Sequence, residues 1–469
     1  MNSLLKILSF GSIGVLVAVL VVATLLENVY GSSFVQSNIY HSLWFVALWA
    51  VLAVAGVVYI LRITRRVTLI FLHTSFAVIL LGAFVSYLTS SRGEIILVRD
   101  TVPASMYTTA GGGLERLPFR LQLAGVDTLF SQHSQQPIDY KARVIVDDKK
   151  NVTILDVSLN SPITMKGYSL CINSVQAGNV SFIVAHDALG RTISFVGYLL
   201  VFVAFLMLFF DKNSGFNKLL QELKGERLPK NSAKKTDGNT SFSRLVEKMS
   251  VILLCLLVIW CLFWYSRGVF PATNGAEALM LLAFFVALLA VALKRKKEFV
   301  FLSRVLVVVA GIIAIVAGCI LDGYGEVQPI LRTPLLSVHV TTIIIAYALL
   351  AITAVNAVIA LCTKNEKRRA LQALLGRILL YPATMLLACG IFIGAVWASL
   401  SWGRYWGWDP KEVWALVTLF VCSLVFHTRS LRFLSSPLTF HIFCIIAFVV
   451  MLFTFFGVNY LLGGLHSYA

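Results

Sequence analysis

Charge is scarce in this sequence: Asp, Glu, Lys and Arg make up 13% of its 469 residues, against about 25% in ordinary globular domains. Acids are scarcer still, 22 against 39 basic residues, which leaves a formal net charge of +17. That surplus does not point to nucleic acid, because the basic residues cluster in short loops between apolar runs, as the positive-inside rule expects. Cysteine is sparse and scattered, at Cys171, Cys255, Cys261, Cys319, Cys362, Cys389, Cys422 and Cys444. No two form C-x-x-C, so neither a disulfide framework nor a cysteine metal site is supported. C-x-x-C-H is absent as well, and the chain is therefore not itself a c-type cytochrome. A phosphate-cradling glycine loop, H-E-x-x-H and a nucleophile elbow are also missing, and an ATP-driven pump built from this chain alone is not expected.

Apolar residues are abundant instead, at 58% of the chain. Runs long enough to cross about 30 Å of hydrocarbon fall near 4–26, 42–61, 67–88, 192–210, 249–265, 276–293, 301–320, 337–362, 377–398, 411–427 and 439–462. The first is too long for a signal-peptide core and has no small-residue cleavage site, so it reads as a retained helix. Arg62, Arg65 and Arg66, then Lys294-Arg295-Lys296-Lys297, Lys364 with Lys367-Arg368-Arg369, and Arg429 with Arg432 all occupy loops that this count places inside. The short outer loops of the second half carry only Arg267, Arg332, Arg404 and Lys411. The reading is a polytopic α-helical membrane protein of about eleven transmembrane helices. Its N-terminus lies inside, its C-terminus outside, and a bacterial cytoplasmic membrane is the natural setting.

Residues 90–190 depart from this pattern. Short β-rich stretches alternate with turns at Glu94–Arg99, Phe119–Leu123, Arg143–Asp147, Val152–Leu159, Ile163–Ile172 and Val180–Ala185, predicting a small extracytoplasmic β-rich domain. A lysine-rich polar stretch at 211–248, including Pro229-Lys230-Asn231-Ser232-Ala233-Lys234-Lys235, reads as a flexible cytoplasmic tether. It divides the chain into halves, 1–210 with four spans and 249–469 with seven.

The densest chemistry lies at Trp402–Glu412, W-G-R-Y-W-G-W-D-P-K-E, between two apolar runs. Trp402, Tyr405, Trp406 and Trp408 offer a broad π surface, and Gly403 and Gly407 allow backbone to approach a large planar ligand. Asp409, Pro410 and Glu412 fit N-cap, N1 and N3 of the next helix. An aromatic belt is the ordinary explanation of such rings at a membrane interface, but the density here argues for more.

Eight histidines complete the set. His339 opens the 337–362 span at its outer end, and His466 lies just beyond the outer end of the last. Each alone reads as an interfacial polar residue. Sharing a level with the aromatic stretch, they suit bis-histidine ligation of a haem, with flat side chains packed on the macrocycle. Arg332, Arg404 or Lys411 can pair with its propionates. His427 lies seventeen residues inward from Pro410, roughly 25 Å at 1.5 Å per residue, so it belongs to a second, inner site. His73 and His441 are rival partners for it on depth alone. His41 reads as interfacial, and His133 and His186 as surface or satisfied residues of the β domain.

These residues resemble a known family. W-G-R-Y-W-G-W-D-P-K-E is similar to the tryptophan-rich WWD signature of haem-handling membrane proteins, whose members include CcmC, CcmF and CcsA. Leu331-Arg332-Thr333-Pro334 before His339, Gly394-Ala395-Val396-Trp397-Ala398, His427, Gly457-Val458-Asn459 and Gly464-Leu465-His466-Ser467-Tyr468 extend the likeness to CcsA over roughly 249–469. The first half looks like CcsB (ResB), carried by Leu72-His73-Thr74, Leu81-Gly82-Ala83 and Ser91-Arg92-Gly93-Glu94; its outer domain is much shorter than is usual there. The whole resembles the fused CcsBA proteins of System II cytochrome c biogenesis. That resemblance implies an inner haem held by His73 and His427, an outer haem held by His339 and His466, and a haem platform formed by Trp402, Tyr405, Trp406, Trp408 and Asp409. It further implies haem b as transient ligand and substrate, and apocytochrome c bearing C-x-x-C-H as partner. Holocytochrome c synthase activity of the haem lyase type follows, with no catalytic residue beyond those that position haem. Thiol-reducing thioredoxin-like proteins and membrane lipid are the other expected partners; nucleic acid is not. Two rival functions stay open: a transmembrane b-haem electron carrier, and a haem exporter without attachment chemistry.

Overall fold

In the computed structural model the described residues are 2–109, 111–130, 137–225, 241–266, 274–320 and 329–462. The first half contributes α1 (Asn2–Tyr30), α2 (Leu43–Ile63), α3 (Val67–Thr89) and α4 (Ala188–Phe210), with an antiparallel sheet inserted between α3 and α4. Its strands are β1 (Ser91–Leu97), β2 (Ala104–Thr109), β3 (Leu114–Phe130), β4 (Pro137–Asp147), β5 (Val152–Ser158), β6 (Ile163–Met165), β7 (Tyr168–Gln176) and β8 (Asn179–His186), in the spatial order β5-β4-β3-β2-β1-β8-β7-β6.

β1 pairs with β8, and Ser91 faces His186 across that ladder. The chain therefore leaves the membrane at Thr89 and re-enters at Ala188 at nearly one point, which sets α3 and α4 side by side. Small residues let them touch: a Cβ on Gly82 would strike Ser194, one on Gly190 would strike Ser86, and one on Gly197 would strike Ile79. Close approach through small residues is how helices gain packing where lipid gives no hydrophobic drive.

The sheet has more strands than the alternation suggested. β2 was not expected, although Tyr107 within it is 1% exposed and anchors the core. The run Ile163–Ile172 is two strands, because Lys166 (φ 50°) and Gly167 (φ 83°) turn the chain between Met165 and Tyr168. Two successive positive φ values suit the two-residue hairpin whose twist matches its strands.

After α4 come α5 (Gly215–Gly225), α6 (Ser241–Ser266), α7 (Gly275–Leu293), α8 (Val300–Cys319), α9 (Pro334–Cys362), α10 (Glu366–Trp402), α11 (Pro410–Leu424) and α12 (Pro437–Leu452). Ten helices among the described residues are long and apolar enough to cross a membrane. The expected span at 249–265 is helical within α6, but its described apolar part, Val251–Leu262, is shorter than the others. The stretch 211–248 is not all tether. α5 lies in it and packs Phe216, Leu219, Leu220 and Leu223 against the α7–α10 core. The Lys230–Lys235 run lies outside the described residues.

The halves share one interior. Val201 and Phe205 of α4 join a core with Tyr347, Leu387 and Cys422. On the other flank, α1 and α2 pack against Val413, Trp414 and Val417, and Trp414 Nε1 donates to Thr24 Oγ1 at 3.1 Å.

Candidate functional site: two histidine centres and a tryptophan loop

His73 lies near the start of α3 and His427 in the 3-10 turn Val425–His427 that extends α11. Both fall at the end of the helices away from the sheet, His73 sixteen residues or ~24 Å along α3 from Thr89. Their ring centroids are 6.0 Å apart with planes at 89°. Two imidazoles sharing one metal have centroids about 6 Å apart, since each metal–nitrogen bond is ~2 Å and each ring centre lies ~1 Å behind its nitrogen. Each ring is oriented by its own helix. His73 Nδ1 donates to the Leu69 carbonyl (2.8 Å) and His427 Nδ1 to the Ser423 carbonyl (3.0 Å). A carbonyl can only accept, so Nδ1 carries the proton and Nε2 keeps its lone pair, the tautomer that metal-binding histidines use. Among the described residues neither Nε2 has a hydrogen-bond partner.

Apolar surroundings complete this centre. Phe10 meets His427 edge-on at 5.5 Å, and Tyr59 Oη sits 2.7 Å from Ser430 Oγ just beyond. His441, the rival on depth, is fully buried elsewhere, with Nε2 3.3 Å from the Arg369 carbonyl. Among the described residues no cluster of three or more His, Cys, Asp or Glu could hold a bare metal ion. Two imidazoles fit an iron whose other four ligands come with its macrocycle.

From His73 a series of rings leads toward the sheet. Phe76, one turn on, lies 6.1 Å from Phe392; Phe392 stacks on Tyr198 at 4.8 Å; Tyr198 meets Tyr405 edge-on at 5.4 Å. Phe76 and Tyr198 come from the first half, Phe392 and Tyr405 from the second.

His339 occupies a seat cut into α10. α9 begins with Thr333 as N-cap, its hydroxyl accepting from the Leu336 amide at 3.1 Å, and Pro334 at N1. One turn later His339 Nδ1 donates to the Gly390 carbonyl at 2.7 Å. Its ring fills the space beside Gly394, where a Cβ would come within 2.6 Å of Cε1. The orientation of this imidazole is thus imposed by a neighbouring helix. His466 and the G-G-L-H-S-Y segment lie outside the described residues, as does His133.

The tryptophan loop is rigidly held. Gly403 (φ 73°) ends α10 and rests on Ala185 of β8 and Cys171 of β7. Asp409 caps α11 in a full capping box with Glu412, as the sequence suggested. Glu412 Oε2 accepts from the Gly407 amide (2.7 Å) and the Asp409 amide (3.3 Å), while Gln36 Nε2 donates to the Gly407 carbonyl (3.0 Å). The rings fan out and do not share one plane. Trp408 adopts φ 58° and stacks on Tyr40 at 4.8 Å, boxed by Phe45 and Trp49. Trp402 packs on Trp397 at 4.9 Å, Tyr405 reaches Tyr198, and Trp406 meets Trp408 edge-on at 5.9 Å. Arg404 lies over Gly407, Lys411 Nζ donates to Asn459 Oδ1 at 2.7 Å, and Arg332 is exposed beside the turn Pro329–Leu331. Burial holds the Arg404 guanidinium below its ordinary range, with Glu412 and Asp409 pulling the other way.

Tyr40, Trp49, Gln36, Tyr198, Phe392 and Gly390 carried no sequence signal as site residues, and Gly394 entered only as part of a family-like run. Their partners lie far away in the chain, Gln36 and Gly407 being 371 residues apart.

Known proteins share both halves. The family described as Cytochrome C assembly protein matches residues 272–466, and the ResB-like family matches 62–195. The CcsA cytochrome c biogenesis protein of Chlamydomonas reinhardtii is 33% identical over 251 residues, covering 48% of this chain and 67% of that protein. CcsA of Solanum lycopersicum is 30% identical over 265 residues, covering 46% and 83%. Protein NrfI of Wolinella succinogenes is 35% identical over 150 residues, 30% of this chain, which spans only 17% of NrfI's length. His73 falls within the ResB-like region, and His339, His427 and the tryptophan loop within the cytochrome c assembly region.

Proposed function

The chain belongs to the CcsA family of cytochrome c biogenesis proteins and carries a ResB-like region in the same polypeptide, and from that premise we propose that it is a fused haem conduit and holocytochrome c synthase. Haem b enters on the cytoplasmic side of a bacterial inner membrane and is held by His73 and His427. It then reaches an outer site of His339, His466 and the tryptophan loop, where a C-x-x-C-H segment of apocytochrome c meets it. Each cysteine thiol adds across a haem vinyl group: a C–S bond forms, the vinyl π bond breaks, and the thiol hydrogen goes to the second vinyl carbon. Thioredoxin-like proteins keep those thiols reduced.

One observation carries the reading: His73 and His427, from separate family regions, stand 6.0 Å apart with both Nδ1–H groups tied to backbone carbonyls. The ring series from Phe76 to Tyr405 supports passage between the two ends. Little acid–base chemistry is needed from the protein, since holding vinyl and thiol in register lowers the barrier by itself. On this reading the histidines hold the iron, and the loop shapes the space in which the thiols approach.

The decisive experiment co-expresses the chain with an apocytochrome c in a host lacking its own maturation system and stains for covalent haem. Covalent product that disappears in His339→Ala is the expected result. An exported cytochrome with no covalent haem overturns the synthase reading and leaves a b-haem electron carrier or an exporter.

A further inference from the structure

Three arginines meet where the sheet, the start of α4 and the tryptophan loop come together. Arg92 of β1 is the cross-strand partner of Ala185, and Ala185 lies directly against Gly403. Arg404 follows Gly403. Arg191 stands in the first turn of α4, close to Tyr405. Cys171, also against Gly403, feels the charge of both Arg191 and Arg92. All three arginines are partly buried, yet among the described residues none of their guanidinium groups makes a hydrogen bond or an ion pair.

Nearby carboxylates form no ion pair with them, although Glu412 and Asp409 act on Arg404 from a distance; each caps a helix instead. Asp187 accepts from Ser86 Oγ at 2.6 Å and from the Arg191 amide at 3.3 Å, which caps α4. Asp409 accepts from the Lys411 amide, and Glu412 from the amides of Gly407 and Asp409, which caps α11. The electrostatics agree with the geometry. Burial, reinforced by Arg404, pushes Arg92 down to about 10, and burial pushes the Cys171 thiol up to about 11 against the pull of Arg191 and Arg92. Guanidinium groups taken partly out of water with no ion-pair partner are costly unless an anion joins them. Arginine's planar fork is the side chain best matched to carboxylate.

We propose that Arg92 and Arg191 of the ResB-like half join Arg404 of the loop in a clamp for the two propionate carboxylates of haem at the outer site. The inference rests on the haem reading above and deepens it. The clamp makes the ResB-like half part of the outer site: one half supplies the proposed iron ligand there, His339, and the other supplies counter-charge for the carboxylates. It also fixes the rotation of the macrocycle about its iron. With the propionates held at the sheet, the opposite edge, which bears the vinyl groups, points away from it toward the incoming thiols.

The test titrates haemin and haemin dimethyl ester into the purified full-length chain in detergent, in a His427→Ala background that removes the inner centre. The expected result is that Arg92→Gln together with Arg191→Gln weakens haemin binding about tenfold or more, as loss of charge-assisted bonds does. Binding of the dimethyl ester should be unchanged by those substitutions, and Arg92→Lys should recover part of the haemin affinity. Equal loss for both ligands means a merely structural role and overturns the clamp, as does wild-type haemin affinity in the double variant. If the double variant loses affinity only for inorganic phosphate or for vesicles of anionic phospholipid, the arginines hold another anion and the propionate assignment fails. The haem reading fails separately: its mark is a chain whose haemin binding does not respond to His339→Ala.

Discussion

The two histidine centres are held in place by different means. At the inner centre each imidazole is aimed by the carbonyl four residues before it, Leu69 for His73 and Ser423 for His427. Orientation there is local, and only the pairing of rings is tertiary. His339 is aimed by Gly390 of another helix and seated beside Gly394. The inner centre should therefore tolerate changes around it and be sensitive only to its own two residues. His339 should respond to substitutions far from it in sequence.

The sharpest way to break this contrast is Gly394→Leu. Its side chain must displace the His339 ring, since even a Cβ would sit 2.6 Å from Cε1, and overpacking of this kind costs about 1–3 kcal/mol. Covalent haem in co-expressed cytochrome should fall at least ~tenfold, while the absorbance of haem retained by the inner pair stays unchanged. Normal attachment in this variant removes His339 from the site.

Next in size are His73→Ala and His427→Ala. Each should lower co-purifying haem by about tenfold or more, the scale seen when metal sites lose a contributing group, and added imidazole should restore part of it. The two variants should behave alike, because the two rings stand together at one centre. A variant with full haem content would show that its histidine is only packed there.

The smallest effect sharpens how the loop is kept. Glu412→Gln keeps the shape of the side chain but not its charge, and so weakens two amide contacts. The expected cost is about 1 kcal/mol, read as a fall of a few degrees in the melting temperature of the purified chain. An unchanged melting curve would mean that Gln36 and Gly403 hold the loop unaided.

Much of this arrangement is visible in the sequence where a single element decides it. The depth of His427 follows from helical rise, and the capping box at Asp409 from residue types three apart. Depth could not separate His73 from His441, because both stand near one end of their helices. Their difference is tertiary: His441 turns toward Arg369 inside the second-half core. Lys166-Gly167 hid a hairpin because one apolar-rich run continued across it. The seat of His339 was invisible for a similar reason. Glycines at 390 and 394 look like small residues in any membrane helix until the neighbouring side chain is placed against them. The rings of the loop looked like one surface in sequence, and backbone geometry at Gly403 and Trp408 sends them in different directions.

α10 contains 37 residues, about 55 Å of helix against ~30 Å of hydrocarbon. One rod thus touches both ends of the molecule. Tyr381 packs on Phe426, beside His427, and farther along come the seat of His339 and, at the tip, Trp402. Pro382 interrupts it between those contacts. It leaves the Ile378 carbonyl without its helical donor, which weakens the rod at one place. The stretch that seats His339 is thus joined to the Tyr381–Phe426 contact by a rod that lacks one backbone hydrogen bond between them.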